Sequence, residues 1–196
     1  MKINPIKLSG DWKAGFALDV QTVSSEYIGD DEYGHARFDT KRSEAGELLY
    51  RLKYAQDRLG VWLLAETAAA FVKSRRWPVD VIVAVPPSRE TRAFQPLHIL
   101  SRALGRSLGI PVRSDCIVKI RPTPELKSIG EFSERLRLLD GAYSVSASAI
   151  EGRKVLLLDD LYRSGATLKS VAGAIAGAGR AKDIYVLTFT RTRVKR

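Results

Sequence analysis

The sequence predicts an open α/β fold: a mostly parallel sheet with helices on both faces. Three observations carry this. Apolar runs at Val79–Val85, Val155–Leu158 and Ile184–Phe189 leave no polar face, as strands covered on both sides do. Between them lie longer stretches of helical periodicity, the alternation that builds a parallel sheet. The run Val155-Leu156-Leu157-Leu158 then ends in Asp159-Asp160, a small-residue loop and the start of a helix. Open sheets of this kind bind ligands beyond the carboxyl ends of their strands.

The elements follow in order. Phe16, Leu18 and Val20 alternate with Ala17 and Asp19, a strand signal. Gly29-Asp30-Asp31-Glu32-Tyr33-Gly34 is rich in turn residues, and Arg37-Phe38-Asp39 resumes an extended pattern. Residues 1–42 are therefore expected to be a small β-hairpin extension, packed on the sheet or hanging over the site, with residues 43–196 as the main domain. Ser43 is placed to cap a helix, with Glu44 and Glu47 in its first turn and Leu48, Leu49, Leu52 and Tyr54 along it. A second helix is expected from Leu59 to Lys73, with Trp62, Leu63, Ala65, Ala69 and Val72 as its apolar positions and Trp77-Pro78 ending it.

After the strand Val79–Val85, Pro86-Pro87 breaks the chain sharply. Leu97, Leu100, Leu104 and Leu108 have helical spacing, and Gly109 stands where that helix should stop. A strand is expected at Val112–Val118, a mobile loop at Lys119–Gly130 and a short helix at Glu131–Leu139. Leu168–Ala178 reads as a helix with Val171, Ala172 and Ile175 on one face, ahead of the last strand.

Composition narrows the function. With 45% hydrophobic and 28% charged residues, the chain has ordinary globular usage. No apolar run is long enough to cross a bilayer, and Met1-Lys2-Ile3-Asn4-Pro5 lacks the apolar stretch of a signal peptide, so a cytoplasmic location and no membrane partner are expected. Cys116 is the sole cysteine, which excludes an intramolecular disulfide and a cysteine-based zinc site; its apolar neighbours read as core. There is no G-x-S-x-G segment and no metal-spaced histidine pair. His98 falls in an apolar helix and reads as a core or surface histidine, while His35 follows the hairpin turn. The net charge of +10 attracts polyanions. Arg75-Arg76 and the tail Arg191-Thr192-Arg193-Val194-Lys195-Arg196 are either a nucleic-acid patch or solvated charge.

Each part of the acid-pair segment suits a sugar phosphate. Two carboxylates accept hydrogen bonds from a vicinal diol. Ser164-Gly165-Ala166-Thr167 offers backbone N–H groups and hydroxyls to an anion, Gly165 permits close approach, and the next helix directs its positive end there. A P-loop NTPase is excluded, since no G-x-x-x-x-G-K-[ST] segment exists. The plainer alternative is that the acids only cap the helix that follows.

The segment Val155–Thr167 resembles the phosphoribosyl-pyrophosphate (PRPP) loop of type I phosphoribosyltransferases. Leu52-Lys53-Tyr54, Ala84-Val85-Pro86-Pro87-Ser88-Arg89, Arg92-Ala93-Phe94-Gln95, Arg121-Pro122-Thr123, and Glu134-Arg135 ahead of Gly141-Ala142-Tyr143 narrow the resemblance to the branch related to the competence protein ComF. The resemblance implies a transferase that moves a phosphoribosyl group from PRPP to an unidentified small nitrogenous acceptor and releases pyrophosphate. It assigns Asp159 and Asp160 to catalysis at the ribose, and Arg163, Ser164, Gly165, Ala166 and Thr167 to PRPP. Pyrophosphate falls to Pro87, Ser88, Arg89, Lys53 and Arg92, and a flexible lid carries Lys119, Arg121 and Thr123. The implied cofactor is magnesium brought by PRPP, with Asp159 or Asp160 reaching it directly or through water.

The branch often carries a zinc ribbon near its N-terminus; here no zinc is expected and the hairpin takes that place. Arg163-Ser164 replaces the usual hydroxyl pair, Arg92-Ala93-Phe94-Gln95-Pro96 replaces Arg-Gly-Phe-Asn-Gln, and Leu126 and Leu138 stand where a glutamine and an asparagine are common. Two other functions stay open: a factor for DNA uptake or recombination that binds nucleotide or single-stranded DNA, and a PRPP sensor without turnover. A homo-oligomer is a further expectation.

Overall fold

Strand side chains alternate between faces, so a strand apolar at every position needs cover on both sides. The structure, a computed structural model, describes residues 1–87, 94–123, 129 and 131–193. Along the chain come β1 (Ile6–Lys7), β2 (Ala14–Val20), β3 (Thr22–Asp30), β4 (Ala36–Arg42), α1 (Glu44–Tyr54), α2 (Val61–Ser74) and β5 (Val81–Ala84). They are followed by α3 (Pro96–Leu108), β6 (Ile117–Lys119), α4 (Phe132–Leu139), β7 (Tyr143–Val145), β8 (Lys154–Tyr162), α5 (Ala166–Ala176) and β9 (Asp183–Arg191). The central sheet has the order β1-β2-β9-β8-β5, with only β1 antiparallel to its neighbour.

The two faces of β8 hold two cores. Leu156 and Leu158 pack with Leu49 and Leu52 of α1, Leu64, Phe71 and Val72 of α2, and Leu100 and Leu104 of α3. Val155 and Leu157 pack on the other face with Leu168, Val171, Ala172 and Ile175 of α5. The expected sheet with helices on both faces is therefore present.

Several elements differ from the sequence reading. Phe16–Val20 does not belong to the hairpin: β2 lies in the central sheet, parallel to β9, with Phe16 opposite Leu187 and Ala17 opposite Thr188. The hairpin itself is β3–β4, which pair with each other alone. The expected strand at Val112–Val118 touches the central sheet only through a bridge from Val112 to Ile82; Ile117–Lys119 instead pairs with Tyr143–Val145. In α2 the buried positions include Leu64, Ala68 and Phe71, and Trp62 and Leu63 face solvent. Cys116 is buried as expected, and burial pushes its thiol up to about 11, far from a thiolate at neutral pH. Arg75 lays its guanidinium over Phe16 and Phe71, so this cation is engaged in packing.

α1 is fixed at its N-terminal end. Ser43 Oγ accepts the Gly46 N–H at 3.0 Å and itself donates to the Val20 carbonyl, tying the helix start to the end of β2. A methyl group on Gly46 would collide with the backbone carbonyl of Gln21. Gly46→Ala is therefore expected to lower stability by about 1–3 kcal/mol, because the obstacle is backbone. Gly173, in α5 with open space around it, is expected to respond oppositely to Ala, gaining about 0.5–1 kcal/mol. Denaturant unfolding of the two variants checks both signs.

Candidate functional site

β5 ends at Ala84 opposite Leu158, whereas β8 continues beside β9, with Asp159 opposite Thr188 and Tyr162 opposite Arg191. Asp159 and Asp160 thus lie inside β8 rather than beyond it, where one neighbouring strand has stopped and the groove opens. Alternation puts Asp159 on the α5 face and Asp160 on the α1 face. There Lys53, in the last turn of α1, brings its Nζ to 2.7 Å from Asp160 Oδ2. Asp159 Oδ1 accepts the Asp160 backbone N–H at 2.8 Å. Burial, then the neighbouring Asp160 charge, pushes the Asp159 carboxyl up to about 8 against the opposing pull of that N–H and of Lys53. Burial and the Asp159 charge likewise push the Tyr143 hydroxyl up to about 12.

Beyond Tyr162 the chain turns through Arg163 and Ser164 into α5. Gly165 makes the turn in the left-handed region at φ 83°, which favours glycine. Gly165, at the N-cap, offers no side-chain cap; Ser164 Oγ accepts the Ala166 N–H at 3.5 Å, and the dipole of the helix start favours an anion. The helix start borders a cavity of about 380 Å³ lined by Arg135, Asp159, residues 161–168 and Thr192. The Arg191 guanidinium lies over the Tyr162 ring, 5.8 Å from its centre.

A second cavity, of about 310 Å³, is lined by Lys53, Tyr54, residues 85–87, residues 95–98, Asp159, Asp160 and Thr167. Asp159 and Thr167 line both cavities, so the two form one groove across the sheet edge. The first turn of α3 opens on the second cavity, where burial and then Arg102 hold His98 below its usual range.

The expected residues are placed unevenly. Asp159, Asp160, Arg163, Ser164, Gly165, Ala166, Thr167, Pro87 and Lys53 all line the groove. Ser88, Arg89 and Arg92 lie outside the described residues, as do residues 124–128 and 130 of the expected lid and 194–196 of the basic tail. Lys119 Nζ donates to Thr123 Oγ1 at 2.5 Å, and Arg121 donates to the carbonyls of Leu138 and Asp140; none of these three lines either cavity. Arg193 is held by the Val23 carbonyl at 2.9 Å. Arg135, Thr192, Tyr54 and His98 line the groove but were not among the expected site residues. Arg135, whose Nε donates to the Ile129 carbonyl, had a signal in the Glu134-Arg135 pair.

The donor set suits magnesium carried by a phosphorylated ligand, because Mg²⁺ needs one or two carboxylates when phosphates and water supply the rest. Among the described residues no group of three or more His, Cys, Asp or Glu side chains could hold a metal by itself. No helix among them is long and apolar enough to cross a membrane.

No family model matches the chain. It is 31% identical over 115 residues, 57% of its length, to the competence protein ComFC of Bacillus subtilis (strain 168), and spans 45% of that protein. Among solved structures it is similar to adenine phosphoribosyltransferase from Trypanosoma brucei in complex with AMP, pyrophosphate and ribose-5-phosphate. That match has 12% identity and a TM-score of 0.52, over 96% of this chain and 74% of the other. The chain has the type I phosphoribosyltransferase fold. A further neighbour is the glutamine PRPP amidotransferase of B. subtilis complexed with ADP and GMP, at 16% identity and a TM-score of 0.49, covering 81% of this chain and 34% of that one. The resemblance to ComF read from the sequence agrees with the ComFC homology, and the phosphoribosyltransferase resemblance with the fold.

The raised Asp159 carboxyl has a stability signature. The folded state holds this proton more tightly than the unfolded chain, so the contribution of Asp159 becomes unfavourable as pH rises from about 4 towards about 8. Asp159→Asn removes the ionisation. Its melting temperature is expected to gain on the wild type progressively between about pH 4 and about pH 8 and to hold that gain above it. Thermal unfolding across that range checks this, and a pH-independent difference would contradict it.

Proposed function

We propose that the chain binds PRPP and transfers its phosphoribosyl group to a nitrogenous acceptor, releasing pyrophosphate. The observation that carries this reading is one groove in which a helix N-terminus meets an acidic strand pair, with Asp159 and Thr167 at the junction. The 5′-phosphate would take the N–H groups and hydroxyls of residues 164–167, with Arg135 and Arg163 adding positive charge. The ribose hydroxyls would donate to Asp159 and Asp160. Pyrophosphate would lie in the second cavity beside residues 85–87, within reach of Lys53, with Ser88, Arg89 and Arg92 assigned to it by the family pattern.

In the transfer, the bond between the anomeric carbon and the pyrophosphate oxygen breaks, and that oxygen keeps the electron pair. The acceptor nitrogen supplies the pair for the new C–N bond and loses a proton to solvent. The transition state carries positive charge on the sugar, as in glycoside hydrolysis, and the adjacent carboxylates favour it. Magnesium arriving with PRPP would offset the charge of the leaving group, Asp159 or Asp160 meeting it directly or through water. Lys53, paired with Asp160 here, would exchange that partner for phosphate. Lys119, Arg121 and Thr123 belong to the segment proposed as the lid, which excludes water during transfer.

A second reading, handling of single-stranded DNA, rests on the homology to a competence protein and on the net charge of +10.

The test is the double variant Asp159→Asn with Asp160→Asn, which keeps side-chain volume and removes both charges. Each charge-assisted hydrogen bond contributes about 1.5–3 kcal/mol. Turnover is expected to fall by one to several powers of ten. Affinity has two opposing contributions, since the variant loses acceptors for the ribose but also repels the phosphates less. Calorimetry with Mg-PRPP and an assay of pyrophosphate release are therefore run together. A folded double variant equal to the wild type in both excludes the acid pair as a ribose site, and PRPP binding by the wild type without release under any acceptor assigns a sensor.

A further inference from the structure

The hairpin β3–β4 stands apart from both cores. Its strands pair with each other alone, so each keeps one edge without a strand partner. Its foot is tied down: Arg42 lies over Tyr50 and pairs with Glu47, and the Val23 carbonyl accepts from Arg193. Among the described residues, the side-chain hydrogen bonds, ion pairs and ring contacts of residues 25–40 all stay within the hairpin. A two-stranded ribbon without a third strand or a covering helix is marginal in water. This one also shows large apolar side chains to solvent, with Tyr27 58% and Phe38 55% exposed. Apolar surface gathered beside an open sheet edge marks a place where another chain docks.

The register adds a second peculiarity. Tyr27 stands opposite Phe38, and their rings meet edge to face with centres 5.8 Å apart. One residue along, on the other face, Glu26 stands opposite Asp39. Like charges directly opposite each other destabilise a ribbon. Among the described residues neither carboxylate has an ion-pair partner.

Charged residues commonly guard an open edge against a stray strand. In β4 the guard is self-complementary. Arg37-Phe38-Asp39 read in the opposite direction puts Asp39 where Arg37 stood, so an antiparallel copy centred on Phe38 meets opposite charge on both sides. β3 has no such centre: about Tyr27, Glu26 would face Ile28.

We propose that β4 is a dimerisation edge, to which a second copy of this chain adds its own β4 antiparallel, with Phe38 opposite Phe38 and Arg37 opposite Asp39 twice. Two hairpins then form one four-stranded sheet. One of its faces carries the row Tyr27–Phe38–Phe38–Tyr27, because directly opposed residues share a face. On the other face each Asp39 has Glu26 on one side and Arg37 of the second copy on the other. The cation that the single chain lacks is supplied by its copy. Main-chain hydrogen bonds along the edge give affinity, and the charge pattern sets the register. The inference is independent of the phosphoribosyl-transfer reading, since no residue of the hairpin lines the groove.

The experiment follows the mass of the full chain by sedimentation equilibrium over a range of concentrations. The wild type is expected to be a dimer in exchange with monomer. Arg37→Asp and Asp39→Arg each turn two attractive pairs into two repulsive ones, and each is expected to weaken self-association at least about tenfold. Mixed in equal amounts, the two variants recover both pairs and should associate with each other as the wild type does. A hairpin that had merely lost its structure would not be rescued by mixing. Phe38→Cys should join two copies through a disulfide on oxidation with diamide, because directly opposed Cα atoms lie within bridging range. Thr40→Cys, which would face Ala36 of the second copy, should not, and the native Cys116 is buried. Association indifferent to both charge variants, failure of the mixed variants to associate, or cross-linking by Thr40→Cys in place of Phe38→Cys overturns the inference. A monomeric wild type overturns it too, and leaves the edge to a different chain.

Discussion

A buried carboxylate with a second one beside it cannot stay ionised at low cost unless positive charge is brought to it, and Asp159 beside Asp160 is such a group. The site is arranged around that requirement. The only cation in contact with the pair among the described residues is Lys53, and it reaches Asp160 alone. Asp159, on the other face, receives a backbone N–H instead and is left with a carboxyl that holds its proton far above the ordinary range. Among the described residues no cation contacts Asp159. A ligand that carries its own cation would relieve the pair, while its phosphates go to the helix end.

The same requirement explains why α1 is tied so firmly. Lys53 can meet Asp160 only if α1 holds its position from the end of β2 to the groove. Ser43 joins its first turn to Val20, the Gln21 side chain donates to the Gly46 carbonyl, and Leu49 and Leu52 are sunk in the core under β8. The Gly46 position shows how closely helix and strand meet there, since no side chain fits. The fold and the site thus share one element: the helix that, with α2 and α3, covers one face of the sheet also delivers Lys53 to Asp160.

What the sequence showed depends on how local each signal is. The acid pair, the turn and the start of α5 are consecutive, so their chemistry could be read without knowing any contact. The strand Ala14–Val20 was misplaced because alternation of large and small residues is the mark of an edge or hairpin strand; here Ala17 and Leu18 are both buried, one in each core. In α2 the run from Val61 to Val72 is apolar nearly all round, so its phase cannot be fixed by periodicity, and the core chose Leu64 and Phe71 over Trp62 and Leu63. The pairing of Ile117–Lys119 with Tyr143–Val145 joins segments separated by a helix, and nothing in either announces the other. Arg135, Thr192 and His98 reach the groove from three separate elements, which only the folded chain brings together.

The positive charge of the chain also takes a more definite meaning from the structure. Many of its cations have local work: Arg75 lies over Phe16 and Phe71, Arg42 over Tyr50, Arg121 on the carbonyls of Leu138 and Asp140 at the end of α4, and Arg193 on Val23. Such engaged side chains still contribute field, because a guanidinium does not lose its charge when it stacks or donates. The groove itself has an acidic centre, Asp159 and Asp160, with Arg135 and Arg163 lining its helix end. A polyanion is thus drawn towards the protein at long range, yet near the strand edge it meets carboxylates that repel it. Only a ligand combining phosphates, hydroxyl groups and a bound cation satisfies both conditions, since its hydroxyls and cation face the acids while its phosphates face the helix end and the arginines. An extended nucleic-acid backbone, with phosphates and no free diol at each sugar, satisfies the first condition and not the second. That difference in charge pattern favours a sugar phosphate over a strand as the occupant of the acidic centre.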